Sequence, residues 1–430
     1  MKIASTFSIA LLFSINSAAM TQTEFVERLK NNHPFFAQQK LDQQTTKLDY
    51  IASTANQDWI LSSSIDSASK LNIQTSSTTI GATRNLVSTG ADLVVSNIWS
   101  DGTATDKLVI SYTQPLLKNA FGVNDLLATD LSKIKIDIDA LIREQNSEAF
   151  ILAQLYKLVD LSYAQQQLML TNHRLTLAKQ ELSLMKDKFE QSVVDQVDVL
   201  LQEDAYQRVL QKQLQAEQDL DLLKQELSIV LSMSIGSVYS DYDLYQLYQS
   251  MPNNLQAQLE ENTAEMKLAK LEQAVLKRQL LSDKNSTQAQ LDLTLGATNE
   301  NNNNWNIGLG LSYPLGNTEA KSTLEKTQIG LAKIKQSTAE QLLNLTVKAG
   351  VLTKKLQHLT KLLNTYQARI KIAEARALAE KKRYELGNSQ VSFVISAQNN
   401  VHDVNLAYAQ AAVKYQKSVL EFKAVIDQLL

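Results

Sequence analysis

The side chains that do covalent or metal chemistry are present in this 430-residue chain, but their spacing does not assemble them. The four histidines, His33, His173, His358 and His402, stand at no interval that would let two share a metal on one helix face or in one loop. Acidic pairs occur at Asp137/Asp139, Asp219/Asp221 and Asp241/Asp243. The first two pairs fall in helical pattern, and none sits in the glycine-containing loop that calcium coordination needs. No Gly-rich phosphate loop and no nucleophile elbow occurs. Cysteine is absent, which removes thiolate ligands, Cys nucleophiles and disulfides. No cofactor, no metal and no enzymatic reaction are expected. With 42 basic and 45 acidic residues interspersed for a net charge of -3, there is also no electrostatic footprint for nucleic acid.

Function must then lie in the elements themselves. Only 4 prolines and 12 glycines interrupt the chain, so long helices can run unbroken. Residues 1–19 read as a signal peptide: Lys2 gives the positive start, Ile9 to Ile15 a short apolar core, and Ser17-Ala18-Ala19 a small-residue cleavage site. The competing reading is a buried helix at the chain start. The apolar core is too short to span a bilayer, and no later stretch approaches 18 apolar residues, so any membrane span must be β. Met20 excludes a lipid-bearing cysteine at the mature N-terminus.

Residues 20–235 form a first repeat. A helix broken at His33-Pro34 leads into a strand region over about 59–117, with turn signals at Thr89-Gly90 and Asp101-Gly102. The region has length for two long strands or four shorter ones. It closes at Gln114-Pro115-Leu116-Leu117, and Pro115 there removes a ladder donor where strand passes to helix. A seam through Leu168, Thr171, Leu175, Ala178, Leu182, Met185 and Phe189 then steps by three and four, as in a coiled coil. It turns near residues 190–195, at Ser192-Val193, and returns through Leu210, Leu214, Leu220 and Leu227. A connector over 236–252 follows.

Residues 253–430 repeat the programme: a helix, strands over about 288–315, Tyr313-Pro314-Leu315, and a second seam through Leu345, Ala349, Leu352, Leu356 and Leu363. The turn here is Leu386-Gly387-Asn388, near 386–390. Phe189-Glu190 pairs with Tyr384-Glu385, and Val199-Leu200 with Val394-Ile395, both 195 residues apart. A further anchor is Pro252-Asn253-Asn254, set against Asn31-Asn32-His33-Pro34. Gly387 suits a tight turn, and its counterpart Ser192 predicts that the two tips differ in shape. Each half is expected to supply two membrane strands, about four in all. Four strands cannot close a barrel in lipid, so several chains must share one if the strands are embedded.

The chain resembles the TolC-like outer-membrane efflux family. The residues carrying the likeness are Asn31-Asn32-His33-Pro34, the two Pro-Leu strand ends, and Arg383-Tyr384-Glu385-Leu386-Gly387-Asn388-Ser389 running on to Val394-Ile395-Ser396-Ala397-Gln398. The resemblance implies a mainly α fold with β: two tandem repeats of long antiparallel coiled-coil helices plus β-hairpins, forming a shared trimeric 12-stranded β-barrel and a periplasmic α-helical tunnel. It implies a homotrimer in the outer membrane lipid, an adaptor protein at the helix tips, and an inner-membrane pump or ABC transporter. The function implied is the duct of a tripartite efflux pump or type I secretion system; the alternative is a coiled-coil scaffold whose strands stay in water.

The family's gate acids direct attention to Asp195 and Asp198 in the first tip, where copies around an axis would form an anionic ring. The plain reading is two solvated acids favoured by a helix dipole. In the second tip, positions that can bear gate acids hold Phe393 and Ser396, and a possible arginine position holds Ser389. Phe393 reads either as an apolar constriction or as core packing. Ser192, Val193, Gly387 and Asn388 are the candidate adaptor contacts. Trp59, Trp99 and Trp305 read either as interface aromatics of a barrel or as ordinary strand packing.

Overall fold

The computed structural model describes residues 19–70, 73–101, 106–248, 254–300 and 302–429. The expected signal peptide, apart from Ala19, the Pro252 anchor and Gly102 of the second turn signal lie outside them. In chain order the elements are α1 (Gln22–Asn32), α2 (Pro34–Ala52), β1 (Ile60–Lys70), β2 (Ile73–Leu86), β3 (Ala91–Asp101), β4 (Lys107–Pro115), α3 (Leu127–Glu190) and α4 (Gln196–Leu231). The second half supplies α5 (Leu255–Asn262), α6 (Ala264–Ser286), β5 (Gln290–Glu300), β6 (Asn302–Ser312), α7 (Thr318–Glu385) and α8 (Val391–Val425). These fall into two compact units.

The helical unit holds residues up to 37, 146–258 and 345 onward. Its core is leucine-rich, with Phe25, Leu29, Ile151, Leu155, Leu158, Leu227, Leu231 and Phe422 fully buried. Thr21 starts α1 through a capping box with Glu24, which satisfies two orphan backbone donors. His33 ends α1, and Pro34, which has no N–H to lose, begins α2. The Phe35 ring stacks on Phe150 at 4.5 Å beside it. The connector after α4 is pinned by polar contacts: Ser162 donates to the Tyr242 carbonyl at 2.9 Å, and the Gln416 amide donates to the Leu244 and Gln246 carbonyls at 2.9 and 2.7 Å.

The second unit, residues 38–145 and 259–344, is built on one six-stranded antiparallel meander in the order β1-β2-β3-β4-β5-β6. The strand number departs from the expected four. The first half contributes four strands of 9 to 14 residues rather than two long ones. The Thr89-Gly90 signal is one of the reversals: the Thr89 and Gly90 N–H groups both donate to the Leu86 carbonyl at 2.9 Å. Gly90, at φ 75°, lets the chain turn back there into β3.

Both strand-to-helix transitions use left-handed residues. After β4 these are Asn119, Phe121 and Gly122, and after β6 they are Gly316 and Asn317. Asn119 is held by its backbone N–H to Asn285 Oδ1 at 2.7 Å, and its own Oδ1 accepts from the Asn124 backbone at 2.9 Å. Asn317 is buried and donates to the Thr287 carbonyl at 3.0 Å.

Much of each helical seam follows the expected spacing. Along α7, Ala349, Leu352, Leu356 and Leu363 are buried as read. Along α3 the buried positions include Thr171, Arg174, Ala178 and Met185, so Arg174 rather than Leu175 takes the slot. Phe189 is 43% exposed and Leu214 57% exposed, outside the buried stripes on which the spacing placed them.

Candidate functional site

The two interhelical tips are built by the same backbone device. In the first, the Ser192 N–H donates to the Phe189 carbonyl and the Val193 N–H to the Lys188 carbonyl, both at 2.9 Å. In the second, the Gly387 N–H donates to the Tyr384 carbonyl at 2.9 Å and the Asn388 N–H to the Arg383 carbonyl at 2.8 Å. Each pair satisfies two end carbonyls of the preceding helix, with the central residue left-handed at φ 58° for Ser192 and 75° for Gly387. The expectation that the tips differ in shape is therefore corrected. The hydrogen-bonded positions, 195 residues apart, match one for one. Serine tolerates the left-handed region at a cost, and the two end-carbonyl bonds hold it there.

The next helices also start alike. Asp195 caps α4 at φ -84° and ψ 160°, and Gln390 caps α8 at φ -90° and ψ 152°. Neither side chain caps a backbone N–H. Asp195 is exposed, while Asp198 is half-buried in the first turn. Asp198 lies within electrostatic reach of Tyr384, whose hydroxyl is pushed above its ordinary pKa by burial and then by this carboxylate. The Tyr384 hydroxyl donates to Met185 Sδ at 3.6 Å, and Lys188 Nζ sits 4.5 Å over its ring. Tyr384 thus ties the second tip to the first, and the Asp198 carboxylate acts on it electrostatically.

Phe393, at the position equivalent to Asp198, is 54% exposed, so it does not pack in the core of this chain. It lines an open cavity of about 550 Å³ with Arg376, Glu380, Gly387 and Asn388. Ser389, at the position the family resemblance marks for an arginine, donates to Glu380 Oε2 at 3.1 Å. Val193 is 64% exposed at the first tip. Ser192, Gly387 and Asn388 are exposed beside it and at the second tip, so all four candidate contact residues are accessible.

Between the helices lies a buried polar layer that the spacing does not reveal. Arg174 is 3% exposed; its Nε and Nη2 approach Asn399 Oδ1 at 3.3 Å, and its Nη1 approaches Glu181 Oε2 at 3.4 Å. Gln202, 1% exposed, donates to the same Glu181 oxygen at 3.1 Å. One cation thereby links α3, α4 and α8 through hydrogen-bonded partners. His402 is buried nearby, and its pKa is lowered by burial, then by Lys212 and Arg174, with Asp403 opposing. The one sequence signal for this layer is that Arg174, as well as Leu175, steps correctly from Thr171 and to Ala178.

The sheet has two chemically distinct faces, fixed by register. Leu61, Ile80, Val95, Ile110, Leu293 and Leu309 share one face across all six strands. Ser62, Gly81, Ser96, Ser111, Thr294 and Gly308 share the other. Asp66, Asp92 and Asp292 fall on the polar face, while Arg84 falls near the end of β2 on the apolar one. Trp99 and Trp305 fall on the apolar face, 41% and 80% exposed. Trp59, 52% exposed, precedes β1, with the Arg84 guanidinium 5.7 Å from its ring. Such a sheet can separate lipid from water.

No protein-family profile matches the chain, and no curated protein matches it by sequence. Solved structures do share its fold. The outer-membrane channel OprN aligns with a TM-score of 0.71 at 12% identity, over 94% of this chain and 89% of its own. CusC, described through folding and transmembrane channel formation, aligns at 0.72 and 11%, over 94% and 91%. The Campylobacter jejuni CmeC outer membrane channel aligns at 0.69 and 10%, over 95% and 86%. The fold is that of the TolC-like outer-membrane channels.

Proposed function

We propose, from this TolC-like fold, that the chain is one subunit of an outer-membrane channel-tunnel. It would conduct cargo passively for a tripartite efflux pump or a type I secretion system. In this reading the copies assemble as a homotrimer, the sheets form the membrane barrel, and the helices form the periplasmic tunnel. A periplasmic adaptor protein engages the tips, and an inner-membrane pump or ABC transporter supplies the cargo.

The observation that carries this reading is the two-faced sheet. Five of the six strands run 9 to 11 residues, the length that crosses a bilayer when tilted. One face carries most of their large apolar side chains, and the other carries mainly Ser, Thr, Gly and Asp. A sheet meant to stay in water would have no use for a face bearing exposed Leu, Ile and Trp side chains across its strands. The helices support the same conclusion: α7 leaves Ile329, Leu343, Val347 and Val351 more than half exposed, and α4 leaves Val197, Leu200 and Ile229 so. Neighbouring copies would cover such stripes.

The test is purification followed by bilayer recording. The chain should require detergent, run as an oligomer in it, and conduct ions across a planar bilayer. A monomer soluble without detergent, giving no conductance, would sink the reading.

A further inference from the structure

Where the sheet meets its helices, a cavity of about 400 Å³ opens beside Phe121, Leu126, Arg278, Leu281 and Lys284. We propose that it seats the headgroup of an anionic phospholipid, with the phosphate at Lys284 and the acyl chains against Phe121 and Leu281. This rests on the channel reading above and names a lipid site at the rim of its barrel.

Three observations carry it. The first is place. Beyond β4 and β5 the ladder continues: the Leu116 N–H donates to the Leu291 carbonyl at 2.7 Å and the Lys118 N–H to the Ala289 carbonyl at 3.2 Å. By alternation from Ile110, Leu116 and Lys118 continue the apolar face of the sheet. The next residue, Asn119, bonds through its N–H to Asn285, which lines the cavity. The cavity therefore lies at the end of the surface assigned to lipid, where headgroups begin.

The second is charge. Lys284 is exposed, and it makes no ion pair among the described residues. Arg278 is fixed by Asp130 and by the Val123 carbonyl, both at 2.6 Å, and its Nη1 is buried with no partner. The acids nearby are already engaged, Asp130 by Arg278 and Asp283 by Gln279 and Thr327. No carboxylate lines this cavity. The cavities beside Tyr242, at the second tip and between α4 and α8 hold Asp241 and Asp243, Glu380, and Asp204 and Asp403. An unopposed ammonium beside donor groups suits a phosphate.

The third is the apolar rim. Phe121 is 79% exposed and Leu281 60%. Phe121 is left-handed at φ 58°, a conformation that a bulky residue rarely takes, and its ring stays out of the core. Leu281, Lys284 and Asn285 stand at i, i+3 and i+4, on one face of α6. An ammonium one turn from an exposed leucine matches a ligand charged at one end and apolar at the other.

The test offers the detergent-purified protein an equal mixture of phosphatidylglycerol and phosphatidylcholine and counts retained lipid by native mass spectrometry. The wild type should retain phosphatidylglycerol in preference. Lys284→Ala should lower that preference about fivefold, and Lys284→Arg should keep it. Phe121→Gly, which suits the left-handed backbone, should weaken retention of both lipids. Lys371→Ala, at an exposed lysine of α7 in the helical unit, should change nothing. Excess inorganic phosphate should not release the lipid, and release by phosphate alone would overturn the lipid assignment in favour of a free-anion site. Equal retention of the two lipids by the wild type, or full preference in Lys284→Ala, would overturn it as well. Bilayer conductance of the same preparation keeps the two readings apart. A conducting oligomer without the preference loses only the lipid site, and a non-conducting protein that still discriminates loses only the duct.

Discussion

Arg174 and Asn399 stand 225 positions apart, yet two guanidinium nitrogens of the first converge on a single oxygen of the second at 3.3 Å. The arginine is buried and reaches Glu181 as well, so removing it strands two polar partners in the helical unit. Arg174→Met is expected to cost about 2 kcal/mol, more than an exposed ion pair would. Arg174→Lys should recover only part, because an ammonium cannot present the fork. Chemical denaturation of the assembled protein measures both, and a loss under about 0.5 kcal/mol for Arg174→Met would show the layer to be dispensable.

His402 makes stability depend on pH. The unfolded chain takes up the histidine proton at the ordinary value, and the folded chain only at a lower pH. Stability from this group is therefore complete above the ordinary value and falls as pH drops through the lowered folded one. His402→Gln should flatten the change in melting temperature between about pH 8 and about pH 5. An unchanged slope would assign the effect elsewhere.

The tips predict substitutions of opposite sign at equivalent positions. Ser192→Gly relieves a left-handed non-glycine residue and should stabilise by about 1 kcal/mol. Gly387→Ala imposes the same backbone cost, of about 1 kcal/mol, with no steric clash added, since nothing lies within 4 Å of the new Cβ. Amide exchange at Val193 and Asn388 reads each turn locally.

At the sheet, Gly122→Ala should be far more damaging. The residue is left-handed and its Cβ would collide with the Val87 carbonyl, so a loss of about 3 kcal/mol or failure to assemble is expected. Gly310→Ala, with open space around it, serves as the tolerated control in the same assay.

Ion selectivity tests the first tip. Asp195 makes no side-chain cap bond, so Asp195→Ala leaves that end of α4 intact. Combined with Asp198→Ala it should shift the reversal potential in a salt gradient toward less cation preference. Asp198→Ala alone also removes a charge beside Tyr384, so its effect on stability must be measured alongside. An unmoved reversal potential in the double variant would rule out an anionic ring.

Most of the architecture was legible in the sequence because periodicity reports burial directly. The α7 seam, the strand end at Pro115, the Thr89-Gly90 reversal and the turn positions in both repeats fall where spacing puts them. What spacing could not show was chemistry that mimics its background. Arg174 lies beside Leu175, and a hydrophobic reading prefers the leucine. Serine at 192 gives no hint of a left-handed turn, because the two end-carbonyl bonds that hold it are backbone features. The strand count over 59–117 stayed open between two and four, since Ser- and Thr-rich strands and turns look alike in composition. Asp198 was singled out as a gate acid, but its electrostatic effect on Tyr384 needs the tertiary fold.

The matched turns have a consequence for counting. Each chain displays one backbone shape twice, at Ser192-Val193 and at Gly387-Asn388, and displays each set of side chains once. A ligand that grips only the main chain finds two seats per chain, and one that reads aspartate or phenylalanine finds a single seat. The stoichiometry of any complex at the tips therefore tells which of the two its partner is reading.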